Sequence, residues 1–413
     1  MNAAILTIGD EILNGSTIDT NSAFLGKICA ENGIAITSIL SVTDTKEGII
    51  NGLQSIAPSA DIIITTGGLG PTNDDITKEV LASFFDVPLI YNKAQEENIL
   101  RYFRQRGRKE IPIPEKQASA PKDCTLLANN RGTAMGIWME YQDKIFISMP
   151  GVPHEMKNIF EYEALPKIKA NYKLPTIINR YIMTAAIGET RIAEMINDIV
   201  ETMPSYISIA YLPSLGSVKV RLTAISKSQV EKEVIHFQQK IASRIEKYVF
   251  SSNPTETIAQ AVGDILKSKH KTLATAESCT GGKIAHKITA IAGSSGYYEG
   301  SIIAYSYDIK KSHLGVKEST LEKHGAVSEE TVIEMANGLL KKMKTDYAIA
   351  VSGIAGPGGG MPNKPVGTVW IAVGDNDKII AKKHHLTPHR DNNIEISSVF
   401  ALEMLRQFLN ENM

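Results

Sequence analysis

A chain of 413 residues has room for two or three domains, and 43% hydrophobic with 22% charged residues is ordinary globular material with enough apolar content for full cores. A formal net charge of −1 argues against a protein that holds nucleic acid by bulk electrostatics, which carries a basic excess. Cys29, Cys124 and Cys279 are too few and too dispersed for a disulfide framework or a zinc site, and the opening "MNAAILTIGDEIL" has no basic stretch before an apolar run that Asp10 and Glu11 soon interrupt, so neither a signal peptide nor a membrane span is expected and the expected location is the cytoplasm.

Strand and helix patterns alternate from the start. Residues 3–8 form a short apolar run. Residues 20–33 carry Phe24, Leu25, Ile28 and Cys29 at helical spacing, with Thr20 ahead and Gly33 at the expected stop. A strand is expected at 35–41, a helix at 46–56 and a buried strand at 61–66. That strand runs into Gly67, Gly68 and Gly70, and a helix is expected from about Asp74. The Pro-rich, charged stretch 104–123 reads as a long surface excursion. Strands resume at "TAMGIWME" and "KIFISMP", and "GVPHEMKNIFEYEALPKI" leads into a helix. This alternation implies a parallel, doubly wound sheet.

A second, α+β unit is expected from about 173 to 252, with strands at "RYIMTAAI" and "SVKVRLTAIS" and helices at "TRIAEMINDIVETM" and "VEKEVIHFQQKIASRIEKY". It carries no cluster of catalytic residue types. The polar break "SSNPTE" (251–256) separates it from an α/β unit over 253–413. The pattern there is helix 255–268, strand 271–276, helix from 280, strand 301–305, helix 328–343, strands 346–352 and 366–373, and helix 391–409.

The chemistry concentrates in the third unit. "KTLATAESCTGGKIAHK" reads strand, tight turn, helix, with Ser278 and Cys279 side by side. Such a turn lies beside a helix N-terminus with its free N–H groups, and Gly281 and Gly282 permit close approach of a ligand to the backbone. The plain alternative is that Ser278 or Thr280 only caps the helix. A serine nucleophile needs a base. His286, His313, His324, His384 and His385 lie in helix faces or polar stretches, whereas "SIIAYSYDIKKSHLGV" supplies Lys310 and Lys311 after a strand, beside Tyr305 and Tyr307. Lysine serves as a base when burial or a nearby cation lowers its pKa. The strand ending in Ser352 opens a loop with Gly353, Gly356, Gly358, Gly359 and Gly360, more glycine than a simple turn needs. Its N–H groups are candidates to cradle a phosphate or hold an oxyanion.

In the first unit, Asp10 and Glu11 follow the first strand, and Thr72, Asn73, Asp74 and Asp75 follow the glycine turn of "TTGGLGPTNDD". The ends of parallel strands face a common crevice. Gly67, Gly68 and Gly70 suit a phosphate there, and the carboxylates suit a divalent cation held by oxygen. Asp74 and Asp75 serve equally as caps of the next helix.

"TAESCTGG", "GSSGYYEGSIIAYSYDIKKSHLGV", "HGAVSEETVIEMANG" and "VSGIAGPGGG…KPVGTVWIAV" resemble the C-terminal domain of the CinA family, which also occurs alone as a bacterial nicotinamide-nucleotide amidase. The resemblance implies a Ser/Lys amidohydrolase that converts nicotinamide mononucleotide to nicotinate mononucleotide and ammonia without a cofactor. In it, Ser278 matches the nucleophile, Lys310 the base, Tyr305 an assisting tyrosine and Arg390 the arginine that holds the nucleotide. Ser352 matches a small hydroxyl residue near the substrate.

"TTGGLGPTNDD" and "SMPGVPHEM" resemble the molybdopterin-binding fold shared by MoaB, MogA and the CinA N-terminal domain. Leu69 stands where molybdenum-cofactor proteins usually have Thr. The CinA version implies a metal-dependent ADP-ribose pyrophosphatase with Asp74 and Asp75 as metal ligands. The middle unit resembles the KH-like segment of long CinA proteins. It lacks the GxxG loop that clamps nucleic acid, "AIGET" supplying one glycine, so a spacer or dimer element is expected there. Together these imply a homodimeric enzyme of pyridine-nucleotide salvage acting on small nucleotides, with neither membrane nor nucleic-acid partners. The alternatives are a nucleotide-binding competence or damage regulator without turnover, and a molybdopterin-binding protein.

Overall fold

The computed structural model describes residues 1–72, 74–108, 113, 115–226 and 230–411. The chain divides into two compact units at the start of the Thr176–Ala185 strand. Among the described residues, no helix is long and apolar enough to cross a membrane.

The first unit is built on a six-stranded sheet in the order Ala35–Val42, Asn2–Ile8, Ile62–Thr66, Lys144–Met149, Gly136–Tyr141, Thr125–Leu127. The first four strands run parallel and the last two antiparallel, so the sheet is mixed rather than wholly parallel. Side chains alternate between two cores. Ala3 and Ile5 join Leu25, Cys29, Met156 and Ile159 on one face, and Ala4 and Leu6 join Ile49, Leu53, Leu81 and Phe85 on the other. Helices on both faces bury the Ile62–Thr66 strand at every position, the environment that selects an unbroken β-branched run.

The expected excursion at 104–123 is corrected by this unit. The Lys93–Arg104 helix ends where the excursion was expected to begin, and Ser119–Pro121 is a buried strand paired antiparallel with Leu89–Tyr91. Small residues at 118–120 fit that buried position and give no apolar signal in the sequence. Residues 109–112 and 114 lie outside the described residues, as does Asn73. The helix expected from Asp74 begins at Thr77, because the loop before it is folded on itself.

The second unit contains two sheets. A four-stranded sheet, Ile207–Ser214, Ser217–Ser226, Thr176–Ala185, Val249–Ser251, packs with the Glu189–Val200 and Val230–Arg244 helices. Its first hairpin tip meets the last helix of the chain, where Gly216 lies against Val399 and Ile396. The Arg406 guanidinium, buried against Glu403, donates to the Lys247 carbonyl at 2.8 Å.

A five-stranded sheet follows in the order Tyr298–Ile303, Leu273–Glu277, Tyr347–Gly353, Thr368–Gly374, Ile379–His385. The first three strands are parallel and the last two antiparallel. The Ile258–Ser268, Lys283–Thr289 and Arg390–Glu411 helices build the core on one face. The Tyr307–Leu314, Glu318–His324 and Glu329–Met343 helices build it on the other. The parallel arrangement brings the ends of Leu273–Glu277 and Tyr347–Gly353 to one edge of this sandwich.

One close approach fixes the Tyr307–Leu314 helix. A Cβ on Gly338 would lie 1.7 Å from the Leu314 carbonyl oxygen, so the Glu329–Met343 helix reaches it only through a glycine. Gly338→Ala must push the two helices apart and is expected to destabilise the second unit by about 1–3 kcal/mol, measured as a lowered urea midpoint.

Candidate active site

The Leu273–Glu277 strand is buried at all five positions, and the Ser278 N–H extends its ladder by donating to the Val351 carbonyl at 3.0 Å. The chain then turns sharply through Gly281 (φ 60°) and Gly282 (φ 98°) into the Lys283–Thr289 helix. These left-handed conformations favour glycine. Ser278 is thereby held at the sheet end, 8% exposed.

Lys310 reaches it from the other side of the sheet. It lies on the Tyr307–Leu314 helix, whose start is capped by Ser306 accepting from the Ile309 N–H. Its Nζ donates to Ser278 Oγ at 3.0 Å and to the Ala304 carbonyl at 2.6 Å, and the side chain is 1% exposed. Burial pushes its pKa down to about 8. The neutral amine is therefore far more populated near neutral pH than in an exposed lysine. The juxtaposition expected from sequence is present, but Lys310 sits on a helix that the sequence did not reveal, not at a strand end. The lowered pKa has burial as its cause rather than a neighbouring cation.

Ser278 and Lys310 open into a cavity of about 180 Å³ that also meets Cys279, Tyr305, Ser352 and Arg390. Apolar contacts come from Ala326, Val327 and Ala355. Arg390 opens the last helix and donates to the Gly356 carbonyl at 2.7 Å and to the Tyr305 hydroxyl at 3.1 Å. Tyr305 is largely exposed at the mouth. Ser352 Oγ donates to the Ala326 carbonyl at 2.7 Å. Cys279 is buried, and burial pushes its thiol up to about 12, so it stays protonated and is a poor rival to Ser278.

The remaining expected contacts divide. Gly353 lines the cavity, and Gly356 contributes through its carbonyl to Arg390. Gly358 lies on the exposed part of the loop and does not line the cavity. Thr280, Gly281 and Gly282 shape the turn without lining it, and the Thr280 hydroxyl is buried without a partner among the described residues. The helix-start N–H groups were expected to be free for an oxyanion. Those of Gly282, Ile284 and Ala285 instead donate to the Glu277 carboxylate at 3.0, 3.1 and 2.9 Å.

In the first unit, the glycine turn packs tightly on its own neighbours. A Cβ on Gly67 would lie 2.2 Å from the Ile8 carbonyl oxygen, and one on Gly68 2.2 Å from Thr77 Oγ1. A Cβ on Gly70 would meet the Asp75 carboxylate. Asp75 accepts from both the N–H and the hydroxyl of Thr72, so it closes its own loop rather than facing a ligand. Asp10 and Glu11 open the Asp10–Leu13 helix. The Asp44 carboxyl, which sequence reasoning missed, is raised by burial first and then by Asp10, Asp74 and Glu11, which places these carboxylates in one neighbourhood. Among the described residues, no three His, Cys, Asp or Glu side chains form a metal-binding group.

Residues 255–409 match the family model described as CinA C-terminal domain, residues 4–170 that of the probable molybdopterin binding domain, and residues 179–251 that of the damage-inducible protein CinA KH domain. The CinA-like protein of Cytophaga hutchinsonii is 43% identical over 99% of this chain and 98% of its own length. That of Flavobacterium psychrophilum is 39% identical over 100% and 99%. This chain belongs to the CinA family. Among solved structures, the competence/damage inducible protein CihA of Agrobacterium tumefaciens is similar at 38% identity, covering 37% of this chain and 93% of its own, with a TM-score of 0.36.

For this CinA protein, sequence reasoning missed Glu277 and the Ala304 carbonyl. The available signal for Glu277 was its place, a carboxylate just ahead of a glycine turn and helix start, where the dipole favours negative charge. Its thiols yield a direct test. Burial pushes Cys29 to about 12 and Cys124 to about 11, as it pushes Cys279 to about 12. The folded protein should therefore show little reaction with a thiolate-specific reagent between pH 7 and 9, with all three thiols reacting on denaturation, as counted by mass spectrometry.

Proposed function

We propose that the C-terminal part of the chain hydrolyses the carboxamide of nicotinamide mononucleotide, giving nicotinate mononucleotide and ammonia. The observation that carries this reading is the buried Lys310 Nζ at 3.0 Å from Ser278 Oγ, with its pKa lowered to about 8. Neutral Lys310 takes the Ser278 proton as Oγ adds to the carboxamide carbon. The resulting ammonium returns that proton to the departing nitrogen, so ammonia leaves and a nicotinoyl ester remains on Ser278. Water, deprotonated by the same lysine, adds to the ester carbon, and the lysine returns that proton to Ser278 Oγ as nicotinate mononucleotide leaves. Arg390, at the mouth beside Tyr305, holds the ribotide phosphate. The oxyanion takes N–H groups of the 278–280 turn that are not already committed.

Ser278→Ala and Lys310→Ala should remain folded and lose ammonia release, Lys310→Ala by about 10²–10⁴-fold. Because the base form is needed, kcat/KM of the wild type should rise about tenfold per pH unit below 8 and level off above it. Folded wild type that binds the mononucleotide without releasing ammonia would replace this reading with that of a regulator.

The N-terminal carboxylates support a second reading, metal-dependent cleavage of ADP-ribose to AMP and ribose 5-phosphate. Its support is the shared neighbourhood of Asp10, Glu11, Asp44 and Asp74 beside the glycine turn. The described carboxylates do not assemble a three-ligand set. AMP formation that needs an added divalent ion, is lost in Asp44→Asn and survives Ser278→Ala is the expected result. No turnover with any divalent ion tested would remove the reading.

A further inference from the structure

Glu277 immediately precedes Ser278, is fully buried, and makes no ion pair among the described residues. A carboxylate in that position needs strong compensation. It has three backbone donors at 2.9–3.1 Å, the N–H groups of Gly282, Ile284 and Ala285, and a weaker contact from Thr275 Oγ1 at 3.4 Å. The side chain thus closes the glycine turn onto the end of the strand that carries the nucleophile. Its main chain does the same for the base. The Glu277 carbonyl accepts from the Ala304 N–H at 2.8 Å, and the Ala304 carbonyl accepts from Lys310 Nζ. One residue is therefore bonded, through different groups, to both halves of the Ser/Lys pair.

The three committed N–H groups also decide which donors remain. Within the turn, the Gly281 N–H goes to the Ser278 carbonyl and that of Lys283 to the Thr280 carbonyl. That of Thr280 donates to no acceptor among the described residues, and that of Cys279 donates to no backbone carbonyl and faces only its own thiol. An N–H one residue after a nucleophile is a recurrent oxyanion donor on strand–turn–helix elbows.

We propose that Glu277 is a positioning residue: its carboxylate clamps the 278–282 turn and so aims the Cys279 and Thr280 N–H groups at the developing oxyanion beside Ser278. This builds on Ser278 as nucleophile and explains why the helix start is not itself the oxyanion site. In Glu277→Gln, the amide NH₂ faces donors, so at least one of the three N–H groups loses its acceptor. Ala285→Pro removes one donor while leaving the carboxylate, at a first-turn position where proline is tolerated.

The test measures the Ser278-dependent burst of 4-nitrophenolate from 4-nitrophenyl acetate, with Ser278→Ala as blank. Burst amplitude counts competent sites and burst rate reports acylation. Turnover of nicotinamide mononucleotide is measured beside it, per counted site. Glu277→Gln should slow both the burst and turnover by about 10²-fold per site, with KM within about threefold and the rise of rate toward pH 8 unmoved, since the main-chain link to Lys310 is intact. Ala285→Pro should show a smaller loss of the same kind.

Per-site rates within about threefold of the wild type in both variants would overturn the proposal. So would a loss explained by a shifted pH limb, or failure of both variants to fold, which would make Glu277 structural. A wild type with a burst but no mononucleotide turnover would sink the amidase reading and leave the clamp standing on the burst rates. Lack of any Ser278-dependent burst in the wild type would remove the nucleophile and the clamp's purpose together.

Discussion

The chemistry proposed for this chain depends on an ammonium group taken out of water without a carboxylate to receive it. An exposed lysine stays protonated far above neutrality and cannot draw a proton from serine. Burial beside Ser278 removes that obstacle, because the charged form loses its hydration and gains only neutral acceptors, the Ser278 hydroxyl and the Ala304 and Tyr305 carbonyls. The fold supplies the burial by stacking the Tyr307–Leu314 helix under the Glu329–Met343 helix, at a contact only Gly338 permits. The sheet supplies the partner, since adjacent parallel strands end together and place Ser278 beside Ser352. A carboxylate near Lys310 would have stabilised the ammonium and defeated the arrangement. Asp308, two residues away in sequence, is exposed and pairs with Lys311, and Glu277, the buried carboxylate that precedes Ser278, has its lone pairs turned toward three backbone N–H groups.

The two sheets of this part of the chain divide their tasks. The mixed five-stranded sheet positions the site. Its antiparallel strands Thr368–Gly374 and Ile379–His385 extend the platform away from the cavity and end it in a strand carrying Lys382 and Lys383. Charged edge strands resist pairing with other chains. The four-stranded sheet contributes no residue to the cavity. The molybdopterin-binding-like part is a separate compact unit with its own two cores, so the neighbourhood of Asp10, Glu11, Asp44 and Asp74 and the Ser/Lys cavity are built by independent packing.

Much of this was legible in the sequence because period and punctuation agreed. Buried runs such as 62–66 and 273–277 are unbroken, and glycine marks the turn that follows each. Ser278, Lys310, Tyr305, Ser352 and Arg390 could be named because long motifs in the right order carry them, and these five line one cavity. The unread parts had no periodic signal. Ser119–Pro121 is a strand of small residues defined by its partner. Ile379–His385 is half polar because it is an edge. The Tyr307–Leu314 helix is short and mixed in character, so Lys310 looked like a residue after a strand. For Glu277 the one signal was positional, a carboxylate ahead of a glycine turn and helix start, because its partners are N–H groups that every residue possesses.

The contacts between the four-stranded sheet and the last helix bear on how small the catalytic part can be made. Gly216 covers Val399, and the Lys247 carbonyl accepts a hydrogen bond from Arg406. A chain cut just before Thr257 keeps every group of the Ser/Lys cavity but wets an aliphatic flank and strands a guanidinium N–H. The 178–251 segment thus acts on this side as a cover for the C-terminal half. A version of this chain that dispenses with it needs a more polar surface along the outer face of its final helix.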